Sequence, residues 1–465
     1  MDESVTLKQK LAIVSCGLLS FTGILVETSM NVTFPTLIKT FGVSLATVQW
    51  LTTAYLLLVT IVMSTTAYVL KRFAPKRVFL FAICLCTLGG LMCLMAPNFW
   101  VLLGGRLLQA VATGLSTPLM YQLIFRLVPE AKLGIYVGFA SVIVSLAPAL
   151  GPTYGGVLTS AWSWRAIFVG IMPLIVVVAG LGAWAIQGQA QGVGQARFDF
   201  GGVTLLAAVF ASLLFTFNAA GQHGWFSGGF DLWGLGFVML ALGLVGYARH
   251  SKRQIFDYRV LHNAMLQLRL GQYFGLQFIN IGLSFVLPLV AQTGLGAGAS
   301  AAGLMLLPGA LIGAAIAPIA GGVYDRRGPH GVLLFSSGMA LVAMGAFWAC
   351  SAHLSVGLIA GLFIVLRFGF NSGFGTAISD ASTQVSNRQK ADQNALFSMM
   401  QQYAGSLGTG VMAAIIAVQQ LHQPAQAATL SGARVDFIVL TSLSVIIAGC
   451  AIAAKHIAAR AATNR

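Results

Sequence analysis

The sequence predicts an all-α polytopic membrane protein, two six-helix repeats with two further helices inserted between them, and three observations carry that prediction. Of 465 residues, 57% are hydrophobic and 8% charged, where a soluble domain averages roughly 25% charged. The mean hydropathy of +0.86 is too high for one or two soluble cores. The apolar residues fall in long unbroken runs rich in Gly and Ala, not in the alternating ten-residue strands of a membrane barrel. At about 33 residues per span with its connection, the length suits roughly fourteen spans.

Six runs come first, near residues 11–38, 45–70, 78–96, 100–124, 133–158 and 165–186. Another six lie near 266–291, 300–324, 331–350, 355–379, 394–418 and 435–455, with two more between the groups near 201–217 and 232–248. The organisation is therefore an N-terminal six-helix bundle over 1–190, an inserted pair over 191–262 and a C-terminal six-helix bundle over 263–465. An even number of spans puts both termini on one side. The first run is too long for a cleaved leader and lacks a small-residue cleavage pattern, so it is expected to stay in the membrane.

Charge fixes the orientation. The formal charge is +15, and all but five of the 26 Lys and Arg fall on the side that carries the termini. The exceptions are Lys39, Arg165 and Arg434 on the opposite side and Arg106 and Arg367 inside runs. This is the positive-inside pattern of a multi-pass protein of the cytoplasmic membrane with cytoplasmic termini. Whole spans separate the basic clusters, which removes nucleic acid as a partner and leaves the lipid bilayer. The six cysteines sit inside apolar runs and read as small core residues. The seven histidines lie at run ends or in connections, so any proton carrier in the core must be a carboxylate.

A shift of about 254 residues lays Ala67-x-x-x-Lys71-Arg72-x-Ala74 on Gly321-x-x-x-Asp325-Arg326-x-Gly328. A shift of 253 lays Glu27 on Asn280 and Pro35 on Pro288. Six helices of about 30 residues would give an offset near 180, and the excess of roughly 70 is an inserted helix pair. Parallel repeats of this kind hold a substrate at their interface, near the midplane.

Glu27 lies about 16 residues into the first run, about 24 Å from its start at 1.5 Å per residue. Arg106 enters the fourth run from the opposite side and can reach a similar depth, so the two are expected to pair across the bundle. Ionisable residues placed so deep are functional by default; the competing reading is an ion pair that fixes helix register. Burial disfavours the charged carboxylate and a neighbouring guanidinium favours it, so a substrate that disturbs the pair changes proton occupancy. Such reciprocal linkage is what an antiporter needs. With Asn280 replacing the acid in the second half, Glu27 is expected to be the one deep carboxylate, and Asp231, Asp380 and Asp436 to be solvated near run ends. Arg367, the repeat mate of Arg106, is midway along its run and either faces an anionic group of the substrate or bonds a polar neighbour such as Asn371. Asn31, Gln109, Gln277, Asn280, Asn371, Gln401 and Gln402 are candidates to line the same cavity, or to form interhelical hydrogen bonds. In the fifth run Gly138, Ala147, Gly151, Pro152, Gly155 and Gly156 permit close helix approach and a bend.

No Lys follows a Gly, which excludes a phosphate-binding loop, and neither a nucleophile elbow nor a His-Glu-x-x-His helix is present. The chain is read as a non-enzyme that uses no cofactor and no metal, driven by an ion gradient.

These residues together resemble the major facilitator superfamily, and within it the fourteen-span drug:proton antiporter family. Glu27-Thr28-x-x-Asn31-Val32-x-x-Pro35 resembles that family's first-helix motif, and Arg106-x-x-Gln109-x-x-x-x-Gly114 its fourth-helix motif, whose Arg is implicated in proton coupling. Gly138, Gly151, Pro152, Gly155 and Gly156 match the fifth-helix antiporter motif, with Ala147 where Gly is usual. Trp164-Arg165-Ala166-Ile167-Phe168 and Gln401-Gln402 with Gly405 and Gly408 also resemble this branch. The resemblance implies the major facilitator fold, outward transport, and a gating role for Gly151, Pro152, Gly155 and Gly156. It also implies a cytoplasmic gate latch at the acidic position of Gly-x-x-x-Asp-Arg-x-Gly. The first copy departs from that pattern, with Lys71 at the acid and Ala67 and Ala74 at the glycines, whereas Asp325, Arg326 and Gly328 keep the second copy intact.

The expectation is proton-coupled efflux of small amphiphilic drugs or toxic compounds by alternating access. Two rivals stand beside it: a dedicated exporter of an anionic metabolite or antibiotic, favoured by Arg367, and a membrane receptor or assembly subunit that keeps the fold without transport. Engagement of an adaptor protein is left open by the sequence.

Overall fold

A computed structural model describes residues 5–129, 133–187, 198–250, 261–386 and 389–463. Lys132, Arg197, Lys252, Arg253, Arg259, Arg388 and Arg465 of the charge pattern, and the domain boundary at 190–191, lie outside the described residues. The side chain of Lys71 does as well.

The described chain is helical throughout. In order it forms α1 (Leu7–Phe41), the short α2 (Leu45–Val48), α3 (Trp50–Arg72), α4 (Pro75–Leu94), α5 (Phe99–Leu127), α6 (Leu133–Ala161) and α7 (Ala166–Ala185). Then come α8 (Phe200–His223), α9 (Gly228–His250), α10 (Ala264–Leu289), the short α11 (Ala299–Leu304) and α12 (Leu307–Arg327). The chain closes with α13 (Pro329–Ala349), α14 (Val356–Thr383), α15 (Lys390–Gln420) and α16 (Ala425–Thr463). Twelve stretches among the described residues are long and apolar enough to cross a membrane. The two remaining long helices are α6, of 29 residues, and α15, of 31. Both occupy positions where the sequence predicts a span.

Side-chain caps set many of the starts. Thr6 and Gln9 form a capping box on α1, while Asn98, Asp199, Asn263 and Ser355 cap α5, α8, α10 and α14. Gly42, at φ 62, ends α1 in a left-handed conformation open to glycine without strain. Two predicted runs are interrupted. The 45–70 run breaks at Gln49 into α2 and α3, and the 300–324 run breaks at Met305 and Leu306 into α11 and α12. Pro308 explains the second break, because it sits in the first turn of α12, where its missing N–H is harmless. Pro288 likewise withholds a donor from α10, and the helix continues past it as a π-turn over Val290–Gly294.

The two halves repeat one another in packing. In the first, α1 packs on α5, α6 and α7; in the second, α10 packs on α14, α15 and α16. Across the halves, α6 packs on α11 and α3 on α15. Helix α8 lies against α2, α3 and α15: Asn218 Nδ2 donates to the Ala46 carbonyl of α2 at 3.0 Å, and Phe210 stacks on Tyr403 of α15 at 3.8 Å. Its partner α9 has no buried residue, and Leu232, Leu235, Met239 and Leu242 are each more than half exposed. A helix with such an apolar exterior belongs in lipid.

Candidate substrate and proton site

For position along the bundle, the terminal end is taken as the end at which α1 starts and α16 finishes, and the far end as its opposite. Glu27 lies on α1 and is 4% exposed, with Oε1 lacking a hydrogen-bond partner among the described residues. Arg106 of α5 is fully buried. Its Nη1 donates to Gln109 Oε1 at 2.8 Å, while Nε and Nη2 are without partners among the described residues. The guanidinium lies 4.1 Å from the centre of the Tyr55 ring, a cation–π contact. Tyr55 is itself held in place, since its hydroxyl donates to the Gly23 carbonyl at 3.1 Å and lies 2.7 Å from Thr113 Oγ1. One helical turn beyond Glu27, Asn31 Oδ1 accepts from Thr52 Oγ1 at 2.8 Å.

The expected Glu27–Arg106 ion pair does not form. Among the described residues no Arg nitrogen approaches Glu27 within 4.0 Å, while Arg269 and Asp380 do form an ion pair. Gln109, one turn along α5, takes the Arg106 donor instead. The Arg106 charge still acts on the Glu27 carboxyl through space. A carboxyl and a guanidinium thus lie in one buried region, each with unsatisfied polar atoms, which is costly unless a ligand or proton completes them.

In the second half the corresponding residues are joined. Arg367 Nη1 donates to Asn280 Oδ1 at 2.5 Å, and Asn371 Nδ2 donates to the Arg367 carbonyl at 2.9 Å. Arg367 also lies 5.2 Å from the Phe370 ring and 5.9 Å from that of Phe363, and its Nε is unpartnered among the described residues. Gly309 and Gly313 let α12 approach this side chain, since a Cβ on either would meet Arg367 or its neighbours. Gln277 is buried with an unpartnered Oε1, Gln401 accepts from the Tyr273 hydroxyl at 2.8 Å, and Gln402 is half-buried. The structure therefore gathers Arg106 with Gln109, and Arg367 with Asn280 and Asn371, as two separate groups.

The glycines of α6 divide between two partners. A Cβ on Gly151 would strike Thr28, and one on Gly155 the backbone of Ser29, so these two face α1. Gly156 faces the Ala299 carbonyl of α11, and Gly303 of α11 in turn faces the Pro152 carbonyl. Ser300 N donates to Ser160 Oγ at 2.9 Å, Thr153 Oγ1 to the Gly303 carbonyl at 3.4 Å, and Gln292 Nε2 to the Val32 carbonyl at 2.8 Å. These contacts close the far end between the halves. At the terminal end Asp325 and Arg326 are exposed and unpaired within 4.0 Å among the described residues, and Gly328 turns the chain at φ 75.

Two of the three acidic positions correct the reading by run ends. Asp231 is exposed as expected. Asp380 is 5% exposed and pairs with Arg269, which is fully buried on α10 and not in a connection. Arg269 also donates to Gln272 Oε1 at 2.8 Å, and Gln272 Nε2 reaches Ser337 Oγ at 3.4 Å. Asp436 on α16 is fully buried with both carboxyl oxygens unpartnered among the described residues. Glu27 is thus one of several buried acids. A signal for Arg269 was present: Arg269-x-x-Gln272 repeats the spacing of Arg106-x-x-Gln109, and both make the same 2.8 Å bond.

A bundle of long apolar helices in two matching halves, closed at one end around buried ionisable groups, defines a secondary transporter. The Major Facilitator Superfamily profile matches residues 16–409, and the chain belongs to that superfamily. It is 30% identical over 425 residues to the lincomycin resistance protein LmrB of Listeria monocytogenes, covering 90% of each chain. It is 28% identical to the multidrug resistance protein B homolog of Mycobacterium tuberculosis, covering 85% of this chain and 74% of that one. Among solved structures it superposes on an inward-facing, unoccupied bacterial homolog of the human lysosomal transporter Spinster with a TM-score of 0.66 at 15% identity, covering 97% and 98% of the chains. The D-xylose-proton symporter gives 0.67 at 14% identity, covering 95% and 96%. At that identity these two speak to the fold alone.

Proposed function

We propose that the chain is a fourteen-span exporter that moves small amphiphilic compounds out of the cell in exchange for protons, with both termini cytoplasmic and two six-helix bundles rocking about a central site. The observation that carries this reading is Glu27: buried, outside any ion pair among the described residues, and under the influence of an Arg106 with two nitrogens unpartnered among them. A lone carboxylate in such a site is costly, so it takes a proton or exchanges it for a substrate that brings its own polar groups. Relatives that carry drug-resistance names support the substrate class. The closed far end supports a resting state open toward the terminal end, ready to load from the cytoplasm.

Transport of a cationic and an anionic dye driven by a pH gradient in proteoliposomes tests the reading. Movement of either dye should collapse at least tenfold in Glu27→Gln, and gradient-driven movement that survives in the variant refutes coupling through Glu27. A second reading, export of an anionic compound, rests on Arg367, a buried cation that among the described residues has no carboxylate within 4.0 Å and no partner for its Nε. Preference for the anionic dye, abolished in Arg367→Gln, would select it.

A further inference from the structure

Asp436 is not used by the reading above. It lies eleven residues into α16, about 17 Å along the helix from its far-end start. It is fully buried, and neither carboxyl oxygen has a hydrogen-bond partner among the described residues. Its neighbours along the buried stripe of α16 are Ala433, Phe437 and Leu440, and Phe437 stacks on Phe347 of α13 at 5.2 Å. Gly432 would meet Ile416 of α15 if it carried a Cβ, and Gly275 and Gly294 of the α10 segment meet Ile447 and Leu430. This antiparallel register places Asp436 level with Met412 of α15 and with Pro288, at the approach to the π-turn.

No charged group answers it from any element packed on α16. Arg269 and Tyr273 are at the opposite end of α10, His330 at the opposite end of α13, and Lys390, Asp392 and Tyr403 in the opposite half of α15. The π-turn Val290–Gly294 carries no ionisable residue, Cys350 lies just beyond α13, and Arg434 points outward on α16 itself. An ionised carboxylate with neither counter-ion nor hydrogen bonds costs far more than a neutral acid in the same place. A metal cation would need several oxygen ligands, and none is assembled around this carboxyl.

The same stretch of α16 is tied to the far-end closure. Gln426 Nε2 donates to the Gly294 carbonyl at 3.1 Å, and Leu430 packs on Gly294, so the first turns of α16 clamp the π-turn. The π-turn leads directly into α11, whose Gly303 seats on Pro152 of α6. Leu430 and Asp436 are six residues apart, about 9 Å. A π-turn is a weakly bonded, wide turn and a natural place for a helix to change shape. On the inference drawn below, parting α11 from α6 pulls on this turn and opens the packing that covers Asp436.

We infer that Asp436 is a second proton-binding site, separate from Glu27, whose proton stabilises the closed far end and is released to water when that end opens. The inference rests on the alternating opening proposed above. Because the closed state binds the extra proton, acid favours closure, and the ratio of open to closed molecules rises by up to about tenfold per pH unit for one linked proton.

The experiment places nitroxide labels at Ser160→Cys and Ser300→Cys, across the seal, with the six native cysteines replaced. Distances are measured in liposomes from pH 5 to pH 8, in a Glu27→Gln background that removes the other acid. The long-distance population should grow with pH, and adding Asp436→Asn should make it flat. Asp436→Leu, close in volume and apolar, should also be flat and provides a folded check if the Asn variant is unstable. A pH response unchanged in both Asp436 variants overturns the inference, as does a flat response with Asp436 intact. A single short distance under every condition, including with drug added, would instead remove the alternating opening itself.

Discussion

Arg106 and Arg269 show how one local pattern serves two ends. Each is fully buried and each binds a Gln one turn ahead at 2.8 Å, yet only Arg269 has a carboxylate partner. The remaining donors of Arg106 have no partner among the described residues, its charge acts on Glu27, and a planar fork stacked on Tyr55 is not replaceable by a flexible ammonium. Arg106→Lys should therefore keep the fold and lower gradient-driven dye transport about tenfold or more, which initial rates in proteoliposomes will read. For the other pair, Asp380→Asn strands a buried guanidinium and should cost about 3–5 kcal/mol, whereas Arg269→Met with Asp380→Leu should regain much of it. Melting midpoints in detergent check this: the double variant must melt above the Asp380→Asn single. Glu27, Arg106 and Arg367 were legible in the sequence because each is an ionisable residue inside an apolar run, Glu27 and Arg367 far from its ends and Arg106 a few residues in. Asp380 and Asp436 were not, because proximity to a run end reads as solvation, and only the neighbouring helices decide whether water reaches the position.

At the scale of elements, apolar runs located every long helix, since burial in lipid requires both length and internal hydrogen bonding. The interruptions were less visible. Pro308 and Pro288 sit in similar apolar surroundings, yet one begins a helix and the other precedes a π-turn, a difference set by how α11 and α16 pack on the chain that follows. The α6 glycines were readable as small residues, but their division between α1 and α11 was not, because it depends on which helices lie either side. That division makes a prediction. A methyl at Gly155 collides with the Ser29 backbone, so Gly155→Ala should cost on the order of 1–3 kcal/mol by overpacking and lower the melting midpoint. Gly180→Ala on α7, which meets open space, should leave it unchanged.

At the scale of the whole molecule, the halves match in packing and differ in chemistry. The acid on α1 corresponds to Asn280, a neutral amide that accepts from Arg367, so the deep cation of the second half is held by a hydrogen bond and that of the first lies in the field of a carboxyl. The gate sequences differ in the opposite sense, with Lys71 in the first half and Asp325 in the second. In the present conformation the far end is shut by α6 on α11, and Asp325 and Arg326 stand exposed at the terminal end. On the proposed cycle, a latch that is disengaged while the far end is closed engages when the terminal end closes, so its contribution falls on the outward half of the cycle. Removing Asp325 then slows the step that commits a loaded molecule outward, while Lys71, lacking the acid's ability to accept helix-end N–H groups, has little to lose. Initial transport rates should fall several-fold in Asp325→Ala and stay near the parent value in Lys71→Ala. Equal losses in the two would mean that the halves share the latch in spite of their sequences.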